Sequence, residues 1–402
     1  VTATTTAGIR WPDLPPRHQN GELDNLADAL RSNVLWYLRA DGWASKLVAR
    51  ARQCFGAQHI VTTNSGTTAI QTALAAVGVG PGDEVVVSPI TDMGSVIGIL
   101  ALNAVPVFAD VDPHHYNVTA ASIEAVLTPR TRAVEVVHLA GSPADMDPIL
   151  DLCRRRGVTV VEDAAQSLGA RYRGRHVGTL GHAGCLSFNQ TKHLSCGDGG
   201  LVLTDDRDLY VRAHNLADKY YDRLGQGVRL QELGMNFRMS ELQAAVAYAQ
   251  LNRIDALVQR RHALGERLTA GLAALPGILP HGVVPGGYCS YWFYMLRVEE
   301  AAFGLSRDDL VRRLVEHGIP AGGAYLPRPL YREPLFVHKR FFPGGIWPAE
   351  LIHGQRYDYT AVHCPQAERV LQTGIRVPIH EGCQDEHVDH LLHVLRQLAA
   401  GR

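Results

Sequence analysis

Lysine is nearly missing from this chain. Of the 39 lysine and arginine side chains in 402 residues, only Lys46, Lys192, Lys219 and Lys339 are lysine. Arginine supplies charge and bidentate hydrogen bonds but cannot be deprotonated near neutral pH, so it cannot act as an amine nucleophile. A surviving lysine therefore raises the question of covalent chemistry. Charge of one sign is also missing. The 39 basic groups face 40 acidic ones, for a net charge of -1, which speaks against nucleic acid or an anionic membrane as a partner. No apolar run approaches the length of a bilayer span. Val1–Thr6 has no basic segment followed by an apolar one and so reads as no signal peptide. The seven cysteines are scattered, odd in number and form no C-x-x-C; a reduced, cytoplasmic protein is expected. Repeats and low-complexity tracts are absent too.

What is present is a 46% hydrophobic composition, ample for a core, arranged in two styles. From 57 to 206, short β-branched runs alternate with helix-like segments. Strands are expected at His59–Thr63, Glu84–Ser88, Val105–Ala109, Ala133–His138, Val158–Glu162, Gly184–Phe188 and Gly200–Thr204, with helices near 67–78, 93–103, 120–127 and 145–156. Buried strands alternating with helices predict an α/β fold with a mostly parallel central sheet sandwiched by helices. From Ser240, a plausible N-cap, one long helical stretch runs to about Ala274. A strand at Tyr291–Val298, a helix at Ser306–His317 and a closing helix at Asp385–Leu398 follow. We read 1–255 as a large cofactor-binding domain and 256–402 as a smaller α+β domain. Residues 331–362, rich in Pro, Gly and aromatics without a period, read as a long irregular loop, a common carrier of function.

Lys46, Lys219 and Lys339 sit among charged or long polar neighbours. Lys192 instead follows an apolar strand-like run and precedes Gly197-Asp198-Gly199-Gly200. A lysine that holds a carbonyl cofactor as a Schiff base needs three further things: an anion for the cofactor's ring nitrogen, a phosphate cradle, and packing on the ring faces. Asp163 ends a predicted parallel strand, where open α/β sheets bind ligands; the alternative is an acid that caps the next helix. Glu162 is on the opposite strand face. Ala165 is small enough to lie flat under a ring, and Gln166 can donate to a phenolic oxygen. Asn64-Ser65-Gly66-Thr67-Thr68-Ala69 joins a strand to a helix start. There Gly66 permits close approach, and the amides and hydroxyls of Thr67 and Thr68 can face an anion; a simple helix cap is the bland reading. Ser187 adds a hydroxyl on the strand leading to Lys192.

In the order cradle, Asp, Lys, the chain resembles the fold-type-I pyridoxal-phosphate enzymes, and within them the DegT/StrS-type sugar and cyclitol aminotransferases. The residues carrying the resemblance are Asn64–Ala69, Pro106–Asp112, Glu162–Gln166 with Gly169-Ala170, Ser187–Gly200, Gly234–Leu242 and Val377–His380. It implies pyridoxal 5'-phosphate as cofactor and a homodimer with a shared active site, in which Asn236 reaches the phosphate of a neighbouring subunit's cofactor and Arg238 helps build that region. It also exposes a departure. Where the family carries an aromatic residue on the ring, this chain has Ser88-Pro89-Ile90-Thr91-Asp92-Met93-Gly94. Asp92 aligns with the aromatic, and the thioether of Met93, able to cover an aromatic face, is the candidate stacker.

The resemblance implies transfer of an amino group from L-glutamine or L-glutamate to a ketone of a cyclitol or sugar, as in antibiotic-type aminosugar or aminocyclitol biosynthesis, with freed Lys192 moving the proton. Tyr325, Arg328 and Tyr331 are the expected substrate contacts. Three rivals stay open: an aminodehydratase of the aminohydroxybenzoate-synthase type, a sugar dehydratase with histidine in place of the lysine (His193 is adjacent), and a non-catalytic regulator. His380, Cys383, His387 and His390 form a dense group, but without a standard zinc spacing no metal is expected. Cys185 and Cys196 flank Lys192 and read as buried structural thiols.

Overall fold

The computed structural model describes residues 9–401; Val1–Thr6, read above for a leader, lies outside the described residues. Each of the seven expected strands forms, and all seven make one sheet: β1 (His59–Thr63), β2 (Glu84–Val87), β3 (Val105–Phe108), β4 (Thr131–Val137), β5 (Thr159–Asp163), β6 (Ala183–Ser187) and β7 (Gly200–Thr204), in the order β1-β7-β6-β5-β4-β2-β3. From β6 to β3 the neighbours are parallel; β7 alone runs against both its neighbours. Helices Gly66–Ala76, Met93–Ala101, Ala120–Glu124 and Met146–Arg156 connect the first five strands. The protein is thus a mixed α/β fold whose mostly parallel sheet is flanked by helices. Its strands are buried nearly throughout, as expected when both faces are covered.

A second, antiparallel sheet of β8 (Ile278–Leu279), β9 (Tyr294–Val298), β10 (Gly322–Gly323) and β11 (Gly374–Val377), ordered β8-β9-β11-β10, has its own apolar core. The change of core falls inside the helix Ile254–Leu272. Ile254, Leu257 and Val258 pack into the first core, and Leu264, Leu268 and Leu272 into the second.

Three expectations are corrected. The single helix from Ser240 is two, Glu241–Leu251 and Ile254–Leu272. No Gly or Pro marks the break. It frees the Arg253 side chain to donate to Arg17 O and, at 2.9 Å, to Glu381. The strand expected from Tyr291 begins at Tyr294, because Tyr291 has a left-handed backbone (φ 43) that no strand accommodates. Residues 331–362 are not irregular. They form short helical pieces at Leu330–Arg332, Pro334–Val337, Pro343–Gly345, Pro348–His353 and Tyr359–Ala361. Phe336 and Tyr359 from these pieces, and Trp347 just before one of them, are buried in the first core, Phe336 and Tyr359 edge-on to Phe108 and Trp347 against Tyr359, so the chain returns to the large sheet after crossing the small one.

Candidate active site

At the C-terminal ends of β5 and β6 and the end of β1 lies a cavity of about 180 Å³. Its wall brings together Gly66, Thr67, Asp163, Ala165, Gln166, Ser187 and Lys192, residues from three separate stretches of sequence. The antiparallel turn from β6 to β7 makes this possible. Phe188 N–H donates to Gly199 O, and Cys196 N–H donates to Phe188 O, so the lysine loop is closed at its base by sheet-like bonds.

Lys192 is 8% exposed. Its Nζ makes no hydrogen bond or ion pair among the described residues and instead lies 4.0 Å from the ring centroid of Trp292. Burial lowers its proton affinity, against the pull of Asp163 and Asp92. The next residue, His193, is fully buried and turned away, with Nε2 on Ser290 O at 3.1 Å. The structure therefore puts the lysine, not the histidine, in the cavity.

Asp163 is 3% exposed. Ser95 Oγ donates to its Oδ2 at 2.7 Å and Ala165 N–H to its Oδ1 at 3.0 Å. Burial raises its pKa, and these bonds and Lys192 oppose the rise. Glu162, on the other strand face, is spoken for by His138 Nε2 at 2.9 Å and the amides of Gly178, Leu180 and Gly181. Of the two acids, only Asp163 faces the cavity. Gln166 accepts from Ala140 N–H through Oε1 at 3.1 Å, leaving its NH2 for the cavity.

At the cradle, the first intrahelical bond runs from Ala69 N–H to Ser65 O, so the amides of Gly66 and Thr67 precede it and are available to an anion. A Cβ on Gly66 would lie 2.7 Å from Ser187 Cβ; any other residue would close the cradle. Thr68 behaves otherwise. Its hydroxyl donates to Asn64 Oδ1 at 2.7 Å, and it shares a capping box with Ser65. Thr68 is a cap, and Thr67 alone of the two threonines faces the cavity.

Other expectations are corrected by position. Met93 begins a helix and packs against the core, outside the cavity wall; Asp92, with Oδ1 accepting from Gly94 N–H at 2.8 Å, takes the wall position. Tyr331 is fully buried. Its hydroxyl donates to Glu368 at 2.9 Å and accepts from Cys364 N–H at 3.1 Å, so both hydrogen-bonding capacities are used inside the protein. Arg328 is exposed and pairs with Glu333 at 3.5 Å, away from the cavity. Tyr325 borders the site, stacked on Phe293 and edge-on to Trp292, with its hydroxyl toward Asp92. Asn236 is exposed and does not reach its own chain's cavity. Arg238 ion-pairs with Asp218, which also accepts from Tyr37 at 2.8 Å and Arg223 at 2.9 Å. Tyr37, Asp218 and Arg238 wall a second, larger cavity of about 360 Å³ that contains neither an amine nor an unpaired acid.

Sequence reasoning missed Ser95 and Trp292. Ser95 lies three residues into a helix and bore no signal. Trp292 was readable only as one of the run Tyr291-Trp292-Phe293-Tyr294. The flanking thiols are inert by burial: Cys196 is pushed up to about 12 and Cys185 well upward. Among the described residues no three His, Cys, Asp or Glu side chains converge as metal ligands; His387 caps its own helix and His390 bonds His317 O at 3.0 Å. No described helix is long and apolar enough to cross a membrane. A nine-tenths-buried amine without a hydrogen-bond partner, opposite a buried carboxylate and beside a glycine-gated cradle, fits a carbonyl cofactor with a phosphate tail.

Comparison with known proteins agrees. The model of the DegT/DnrJ/EryC1/StrS aminotransferase family matches residues 17–396. A putative L-glutamine:3-amino-2,3-dideoxy-scyllo-inosose aminotransferase of Micromonospora echinospora is 35% identical over 369 residues, 90% of this chain and 85% of that protein. The crystal structure of DesV from S. venezuelae, in complex with a ketimine intermediate, superposes with a TM-score of 0.80 at 32% identity, covering 94% of each chain. That of 3-amino-5-hydroxybenzoic acid synthase superposes at 0.81 and 29% identity, covering 97% of this chain and all of that one.

Proposed function

The chain belongs to the DegT/DnrJ/EryC1/StrS aminotransferase family, and from that premise we propose that it carries an amino group from L-glutamine or L-glutamate to a ketone of a cyclitol or sugar, with pyridoxal 5'-phosphate attached at Lys192. The observation that carries this reading is the isolated Lys192 amine facing Asp163 across one small cavity. When bound, the cofactor supplies an electron sink for charge developing at the donor's α-carbon. The protein's residues do the rest. Asp163, fixed by Ser95 and the Ala165 amide, holds the proton on the ring nitrogen. The amides of Gly66 and Thr67, with the hydroxyls of Thr67 and Ser187, bind phosphate. Ala165, a small residue of the cavity wall, would pack against the ring, and the Gln166 NH2 would donate to the phenolic oxygen. Lys192, once free, would take a proton from the donor's α-carbon and return it to the carbon on the other side of the transferred nitrogen. Its lowered proton affinity suits it to that work, since a base must be uncharged to accept a proton.

Asn236 completes the cradle of a second copy in a homodimer. Its exposure on its own chain supports this, as does the small size of the cavity, about 180 Å³ against roughly 300 Å³ or more for typical ligand pockets. The acceptor is a cyclitol by the likeness to the inosose aminotransferase. An aminodehydratase reading is favoured only by the whole-chain likeness to the hydroxybenzoate synthase.

Two measurements test the proposal. Borohydride reduction followed by peptide mapping is expected to fix the cofactor on the peptide carrying Lys192; a label elsewhere, or none, refutes the site. A panel of keto-cyclitols and keto-sugars with glutamine, read by mass spectrometry, is expected to give products in which oxygen is replaced by an amino group. A product lighter by a further water refutes transamination in favour of aminodehydration.

A further inference from the structure

The aromatic wall of this site does not come from the residue where sequence reasoning looked for it. Asp92 stands there, and Met93 is outside. The one aromatic side chain in the cavity wall is Trp292, which enters from the lead-in to β9, 94 residues beyond Asp198, the wall residue nearest to it in sequence. It is fixed from three sides. Its backbone N–H donates to Ala140 O at 2.9 Å, its indole Nε1–H donates to Thr191 O at 2.7 Å, and its carbonyl accepts from the buried Arg261 at 3.2 Å. Two residues of the joint, Ala140 (φ 58) and Tyr291 (φ 43), hold left-handed backbones, a strain that packed surroundings must sustain. The indole face then meets Lys192 Nζ at 4.0 Å, well inside the reach of a cation–π contact.

We propose that Trp292 is a positioning residue for Lys192, and that its indole face is the rest against which the free amine is held between Asp163 and Asp92. The groups facing the amine are these two carboxylates and the indole. His193 is turned to Ser290, and the Tyr325 hydroxyl is turned to Asp92. The ring favours the ammonium over the neutral amine, while burial favours the reverse. Trp292 therefore sets how readily Lys192 gives up its proton and where the amine waits while it is not bonded to cofactor. The Nε1 bond to Thr191 O ties the indole to the residue before the lysine, so ring and amine keep register.

This inference rests on Lys192 being the reactive amine of the proposed function, and its test is read without cofactor so that the two can fail separately. In full-length, cofactor-depleted protein, trace acetylation of Lys192 is followed by peptide mass spectrometry across pH, with Lys46, Lys219 and Lys339 as internal references. Trp292→Leu is expected to lower the Lys192 midpoint by about one pH unit, tenfold in proton affinity. Trp292→Phe, which keeps a ring face but loses the Thr191 bond, is expected to lower it by less than half as much. A Leu profile that overlies wild type, or equal shifts in Leu and Phe, overturns the proposal. If Trp292→Leu does not fold, the decision passes to tryptophan fluorescence. Wild type is expected to show a pH transition at the Lys192 midpoint that Lys192→Met lacks, and a transition present in both, or in neither, refutes it.

Discussion

Glu135 sits in the middle of β4, paired in register with Val161 of β5, at 0% exposure, and neither of its carboxylate oxygens has a hydrogen-bond partner among the described residues. Burial, and then the charge of nearby Asp163, pushes its pKa well upward. The folded chain thus keeps a proton that the unfolded chain releases. The stability attached to that proton is fully present below the unfolded pKa of about 4.3 and is lost as pH rises, at about 1.4 kcal/mol per pH unit until folded Glu135 itself ionises. Glu135→Gln keeps the shape and the orphan polar atoms but cannot ionise. Glu135→Leu removes both penalties and adds a pH-independent gain of about 2 kcal/mol for the unsatisfied group. Thermal unfolding of the full-length protein from about pH 5 to pH 8 separates the two effects. The Gln variant is expected to gain on wild type as pH rises, and the Leu variant to lie above Gln by a constant margin. A gap between wild type and Gln that stays flat with pH refutes the claim that Glu135 is buried as the neutral acid.

Three further outcomes follow from the site. Asp163→Asn removes the anion opposite Lys192 and is expected to lower kcat by about 10²-fold or more; a loss under tenfold in single-turnover donor kinetics argues against Asp163 as the ring partner. Mixing Lys192→Ala with Asn236→Ala protein is expected to restore roughly a quarter of wild-type activity, because half the dimers are mixed and each has one intact site; no recovery places Asn236 in its own chain's site or outside any site. Tyr331→Phe leaves Cys364 N–H unpaired and is expected to cost about 1–3 kcal/mol of stability with the acceptor KM unchanged; a raised KM without a lower Tm returns Tyr331 to substrate binding.

The large sheet was legible because its strands are continuous β-branched runs bounded by glycine, proline or acidic turns. His59–Thr63 and Gly200–Thr204 were read to the residue. The placing of Asp163 and Gly66 on one cavity was legible because each stands at or just beyond a strand end, where such sheets commonly bind ligands, and Lys192 drew notice through the scarcity of lysine; the three line the same cavity. What escaped was set by tertiary contact. Nothing local marks the break at Asn252-Arg253, where the Arg253 side chain reaches distant Arg17 O and Glu381. The pieces of 331–362 show no period because each is only three to six residues long, and three of them pack through Tyr331, Phe336 and Tyr359 against Phe108. Tyr331 and Met93 resembled site residues in composition, yet burial and a helix start gave them other work. Trp292 went unread because its partner in space lies a hundred residues away in sequence.

The reversed direction of β7 carries one more consequence. An amine on an ordinary strand-to-helix crossover would ride on whatever the helix does, whereas Lys192 sits in a hairpin whose two stems are both inner strands of a seven-stranded sheet. To displace it, ladder bonds at the centre of the sheet must open. In hydrogen-exchange terms the amides of these two stems are expected among the last to exchange, so the proposed reactive amine is carried by the most firmly held part of the sheet.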